Sequence, residues 1–109
     1  MYNGYTNYQT WAVSLWIDNE ECQRDHWLGT ASYIYNNEAK EQTHFSKMED
    51  ATYILADQLR EQHHEVKDSI VDIAKLSSSV WADLLNASLC DVNWHEIAKN
   101  LLEDIEVAA

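Results

Sequence analysis

The stretch Asn3-Gly4-Tyr5-Thr6-Asn7-Tyr8-Gln9-Thr10-Trp11-Ala12-Val13-Ser14-Leu15-Trp16-Ile17-Asp18-Asn19 is the most apolar and aromatic part of an otherwise polar chain. From Trp11 to Ile17 only Ser14 is polar. A helix over these residues is apolar nearly all round, and such helices lie inside a fold. Thr6 followed by Gln9 matches a capping box, and Asn7 competes as the cap one residue later. Either start opens the helix near Tyr8. Tyr8, Trp11, Ala12, Leu15 and Trp16 then share one face, with Val13 and Ile17 on an adjoining one. The expectation is a buried N-terminal helix around which the other elements pack.

Outward from this stretch, two Gly and no Pro in 109 residues point to the class. Sheet-rich folds use Gly and Pro in their many turns, whereas helices joined by short polar loops can do without them. A hydrophobic fraction of 46%, with five Trp and six Tyr, supports a folded core in place of disorder. The length fits a single domain over residues 1–109. The fold expected is all-α, with five or six short helices.

Cap signals and apolar spacing place those helices. Asp18 and Asn19 can cap a second helix whose stripe is Trp27, Leu28, Ala31, Ile34 and Tyr35, with Asn36-Asn37 as its stop. Residues 37–45 read as a polar linker. Ser46 and Glu49 form the clearest capping box, opening a third helix with Met48, Ala51, Thr52, Leu55 and Leu59 inward. This helix is expected to fade near Val66, with Asp68 or Ser69 capping a shorter segment. Ser77-Ser78-Ser79 is a break. Beyond it, Val80, Trp81, Leu84, Leu85 and Leu89 form the apolar set of another helix. Asn93 and Glu96 then open the most regular amphipathic helix, with Trp94, Ile97, Ala98, Leu101, Leu102 and Ile105 on one side. All five Trp fall at positions read as core, which leaves Tyr2, Tyr5 and Phe45 as aromatic residues free to anchor a partner.

Seven Lys plus Arg against 19 Asp plus Glu give a formal charge of −12. That balance repels nucleic-acid phosphates and anionic membrane surfaces, so neither is an expected partner. Cys22 and Cys90 are too few and too far apart for a disulfide framework or a metal knuckle. The N-terminus lacks the basic start and apolar run of a signal peptide, and no run reaches the length of a membrane span. The expected setting is soluble and cytoplasmic.

No pattern of catalytic residues stands out. His63 and His64 are adjacent, so on a helix they point about 100° apart and do not chelate one ion together. His95-Glu96 lacks the second His of a zinc-protease helix. There is no nucleophile elbow and no glycine-rich phosphate loop. The expectation is a protein without enzyme activity, metal or cofactor. The acids do form a pattern: Asp57, Glu61, Glu65 and Asp68 follow at spacings of three and four, a row along one helix face. Its step of roughly 5 to 6 Å approaches the phosphate spacing of a nucleic-acid strand, which is the physical basis of DNA mimicry. Glu103, Asp104 and Glu106 gather at the last helix.

The opening Asn3-Gly4-Tyr5-Thr6-Asn7-Tyr8-Gln9-Thr10-Trp11, with Leu15-Trp16 and Asn19, resembles an uncharacterised family of small proteins from phages, plasmids and prokaryotic genomes. Its members begin Asn-Gly-aromatic-Thr-Asn-Tyr-Glu/Gln-Thr-Trp. Val92-Asn93-Trp94-His95-Glu96-Ile97-Ala98 is similar to the family's closing helix. The resemblance covers both ends of the chain and supplies no catalytic residues. It implies a mobile-element setting, in which small acidic proteins block host machinery, as antirestriction and anti-CRISPR proteins do. The function expected is thus an acidic inhibitor of a basic nucleic-acid-binding protein or complex, acting through Asp57, Glu61, Glu65 and Asp68, with Glu103, Asp104 and Glu106 second. The alternative is a helical assembly module, homodimeric in one form, whose charge serves only solubility.

Overall fold

The computed structural model describes residues 1–105. Five α-helices follow in order: α1 (Tyr8–Asn19), α2 (Glu21–Tyr33), α3 (Lys47–Ile73), α4 (Val80–Cys90) and α5 (Trp94–Glu103), with a π-helical turn at Ile34–Glu38 after α2. No strand occurs among the described residues, and the all-α class holds. The one β-type feature among the described residues is an isolated pair of hydrogen bonds between Tyr2 and Tyr5, each 2.8 Å. Between them Asn3 (φ 46°) and Gly4 (φ 87°) both take positive φ, as a type I′ turn requires. Asn-Gly is the strongest short-range signal for that turn, a local signal that helical periodicity passes over. The turn folds Tyr2 back onto Tyr8 and Trp11, with ring centroids 5.2 and 5.0 Å away.

The core lies between α2, the π-helical turn, the first half of α3, and α5. Its largest fully buried side chains include Trp27, Ile34, Leu55, Leu59, Ile97 and Leu102. Ala31, Ala51 and Ala98 have no exposed surface, and these small side chains let the backbones approach closely. α5 packs on α3 from Tyr53, which meets His95, to His63, which meets Trp94. The stripes expected for α2, α3 and α5 are the faces that bury, except that Met48 stays exposed.

α1 departs from expectation. It is not buried all round: its buried residues are Thr10, Ser14 and Ile17. Tyr8, Leu15 and Trp16 are exposed, Trp16 by 72%. The predicted Trp11–Trp16 stripe is therefore not the inward face. The reason is polar. Asn7 caps the helix by accepting the Thr10 N–H at 2.9 Å. The Thr10 hydroxyl is thereby turned toward the chain's other end, where it accepts the Asn93 N–H at 2.9 Å. Asn7 Nδ2 donates to the Asp91 carbonyl at 2.7 Å, Thr6 N donates to Glu96 Oε1 at 3.0 Å, and Asn93 Nδ2 donates to Thr6 Oγ1 at 3.1 Å. This network ties the start of α1 to the α4–α5 junction and sets which side of α1 faces in.

α3 also differs. It runs unbroken for 27 residues, about 40 Å at 1.5 Å per residue, through the predicted break at Val66–Ser69. α4 supplies the tertiary contacts that hold its second half. Val71 is buried, and Lys67 Nζ donates to Asn86 Oδ1 of α4 at 3.3 Å. α3 closes in a Schellman motif, with Leu76 N donating to Val71 O at 2.7 Å and Lys75 N to Asp72 O at 3.0 Å. Lys75 takes the left-handed position, φ 58°, that usually falls to Gly. The capping box at Ser46 and Glu49 forms as expected. Glu20 caps α2 in place of Asp18 or Asn19, accepting the Cys22 and Gln23 N–H groups. The linker after the π-helical turn is gathered by Asp50, whose carboxylate accepts from Lys40 N and Gln42 Nε2, both at 2.9 Å.

Candidate partner-binding surfaces

Asp57, Glu61, Glu65 and Asp68 are all exposed on α3. Two of them are locally paired. Arg60 Nη2 lies 3.2 Å from Asp57 Oδ1, and Lys67 Nζ lies 2.7 Å from Asp68 Oδ1. Glu61 and Glu65 have no ion pair among the described residues, so they form the unneutralised part of the row. Glu103 and Asp104 are also exposed. The structure brings them beside Asp18 and Tyr5, around a small cleft of about 190 Å³ that no member of the α3 row lines. The acids thus fall into at least two groups. Glu106 lies outside the described residues.

A larger groove of about 590 Å³ opens between α1, α2 and α3. Trp16, Ile17 and Trp27 give it apolar walls, and Gln23, His63 and Val66 are among the other lining residues. His63 is a titratable group on this wall. Burial pushes its pKa below the ordinary value; the Leu59 carbonyl opposes this and the neighbouring His64 adds to it. The ring packs on Trp27, at 5.9 Å and nearly parallel, and on Trp94, at 5.0 Å and tilted by 36°. A carbonyl can only accept, so Nδ1–H donates to Leu59 O at 2.7 Å. In the neutral ring Nε2 is then the acceptor. His63 acts as an aromatic packing element with one satisfied donor. His64 does not join it at a common ligand position, and His95 packs on the Tyr53 ring. Among the described residues no group of three or more His, Cys, Asp or Glu side chains is placed to hold a metal ion.

The third surface was missed by the sequence reading. α4 has no buried residue at all. Val80, Trp81, Leu84 and Leu85, which helical spacing assigns to the core, are 43–60% exposed. Ile70 and Ile73 at the end of α3 are exposed as well. Of the five Trp, only Trp27 and Trp94 are buried, while Trp16 and Trp81 are open to solvent. A signal for this was present. α4 holds one charged residue, Asp83, and more apolar positions than one buried stripe can absorb. Tyr2 and Phe45 are exposed, as an anchoring role would need.

These helices are those of an all-α protein, and the surfaces of its described residues include two acidic groups, an apolar groove and an apolar helix hairpin. The chain belongs to a family of unknown function, DUF7249, which matches residues 1–107. No curated protein and no solved structure matches it. Among the described residues no helix is long and apolar enough to cross a membrane.

Proposed function

We propose that the protein is a non-enzymatic interaction module that assembles with other protein surfaces through apolar contact. The observation that carries this reading is α4, an eleven-residue helix with no buried residue and four large apolar side chains exposed. Apolar surface removed from water is the main drive to association, and extended patches of it mark binding sites on soluble proteins. The test is binding by the tagged full chain, washed at low and then at high salt. Apolar association survives high salt, and Trp81→Asp should remove it.

A second reading is favoured by Glu61 and Glu65, exposed and without ion pairs on α3. Here the acidic face occupies a basic site on a host nucleic-acid-handling or defence complex, as an antirestriction or anti-CRISPR protein of phage or mobile-element origin would in the cytoplasm. Binding of this kind is screened by salt. Replacing Glu61 and Glu65 with Lys should abolish it, and Trp81→Asp should leave it intact.

A further inference from the structure

We infer that the α3–α4 hairpin is a self-association surface, and that two copies of the chain pair there by a two-fold axis into a four-helix bundle. This names the partner for the apolar reading above and rests on it.

The hydrogen bond from Lys67 to Asn86 and the burial of Val71 fix which sides of α3 and α4 face each other. On α4 the half-buried Ala82 and Leu89 share that side with Asn86. A helix turns about 100° per residue, so Val66, Ile70 and Ile73 form one stripe on α3, centred about 110° around the helix from the Lys67–Val71 side that meets α4. The two helices run antiparallel, joined by a short loop. The same turn therefore sets Trp81 and Leu85 on the same side of the hairpin as that stripe, with Leu84 at its edge. Asp68, Asp72 and Asp83 fall on the opposite side. The hairpin is thus two-faced, apolar on one side and acidic on the other.

Three observations choose a second copy as the occupant. The first is area. Ile73 is 83% exposed, Trp81 60% and Val66 58%. With Ile70, Leu84 and Leu85 these residues expose roughly 700 Å² in all, of the order of the ~800 Å² per partner of a stable interface. The second is charge. Residues 66–92 hold two Lys against four Asp, a share of −2 in the chain's −12. Per residue this is less negative than the chain as a whole, which lowers the repulsion between two copies that meet here. The third is architecture. A two-helix hairpin with one open apolar face is half of a four-helix bundle, and two-fold pairing of identical hairpins completes it with a self-complementary interface.

The experiment is the solution mass of the full chain by light scattering and sedimentation equilibrium, across a wide range of concentration and salt. The expected result is a dimer that tightens as salt rises, because screening weakens the repulsion between two chains of −12. Binding to a basic partner would weaken instead. Trp81→Asp and Ile70→Asp each should weaken the dimer about tenfold or more while the helical circular dichroism is kept. Tyr33→Asp, at an exposed position on α2, should leave it unchanged. Amide exchange should slow with concentration over residues 66–73 and 80–89 and nowhere else. A monomer at every concentration, or a dimer indifferent to both hairpin substitutions, overturns the proposal. If the chain is a monomer and Trp81→Asp still removes salt-resistant binding of another protein, self-association falls and the broader reading stands. If that binding is also unaffected, both fall.

Discussion

The Thr10 hydroxyl joins the two ends of the chain, accepting the Asn93 N–H at 2.9 Å while donating to Asn7 Oδ1 at 2.7 Å. Thr10 is fully buried, so the helix start is held by a polar group where an apolar face was expected. Asn93 is itself the cap of α5, accepting the Glu96 N–H at 3.1 Å. One hydroxyl therefore links the caps of the first and last helices.

Thr10→Val keeps the shape but leaves the Asn93 N–H without its acceptor. The expected loss is about 1–3 kcal/mol, the usual cost of a buried donor left unpaired. Thr10→Ser keeps the hydroxyl and should cost about 1 kcal/mol or less, the value of one methyl group. Urea unfolding of both variants checks the difference, and equal losses would show that the hydroxyl does not matter.

Leu55 has no exposed surface and lies in the core shared by α3 and α5. Leu55→Ala should cost about 2–5 kcal/mol, the transfer loss plus the cavity left behind. Tyr33 is exposed, and Tyr33→Ala should stay within about 0.5 kcal/mol. The same unfolding measurement compares them.

His63 predicts a pH dependence. Its folded pKa is lowered by burial, so the folded state binds this proton less readily than the unfolded chain. Its neutral form contributes fully above the unfolded value of about 6.5. That contribution falls away as pH drops from there toward the folded pKa. Wild type and His63→Phe should diverge in their pH profiles over this window, the wild type losing more stability on acidification. Parallel profiles would remove His63 as the cause.

Lys75 occupies the left-handed position that closes α3. A side chain there costs roughly 1 kcal/mol relative to Gly. Lys75→Gly should therefore raise stability by about 0.5–1 kcal/mol, read as a higher urea midpoint at unchanged slope. A loss would mean that Lys75 makes contacts worth more than the strain.

What the sequence by itself determined was local. The all-α class came from the absence of Pro and the near absence of Gly. The α2, α3 and α5 stripes came from apolar periodicity, and the Ser46–Glu49 box from side chains that reach only their own helix end. Asp57, Glu61, Glu65 and Asp68 were legible as an exposed row for the same reason. Only the tertiary structure decided the rest. The inward face of α1 follows from Thr6, Asn7 and Thr10 reaching residues more than eighty positions away, a distance that periodicity does not see. α3 continues past Val66 because α4 lies against it. Val80, Trp81, Leu84 and Leu85 look like core to any helical pattern, since spacing shows which residues share a face but not whether another element comes to cover it.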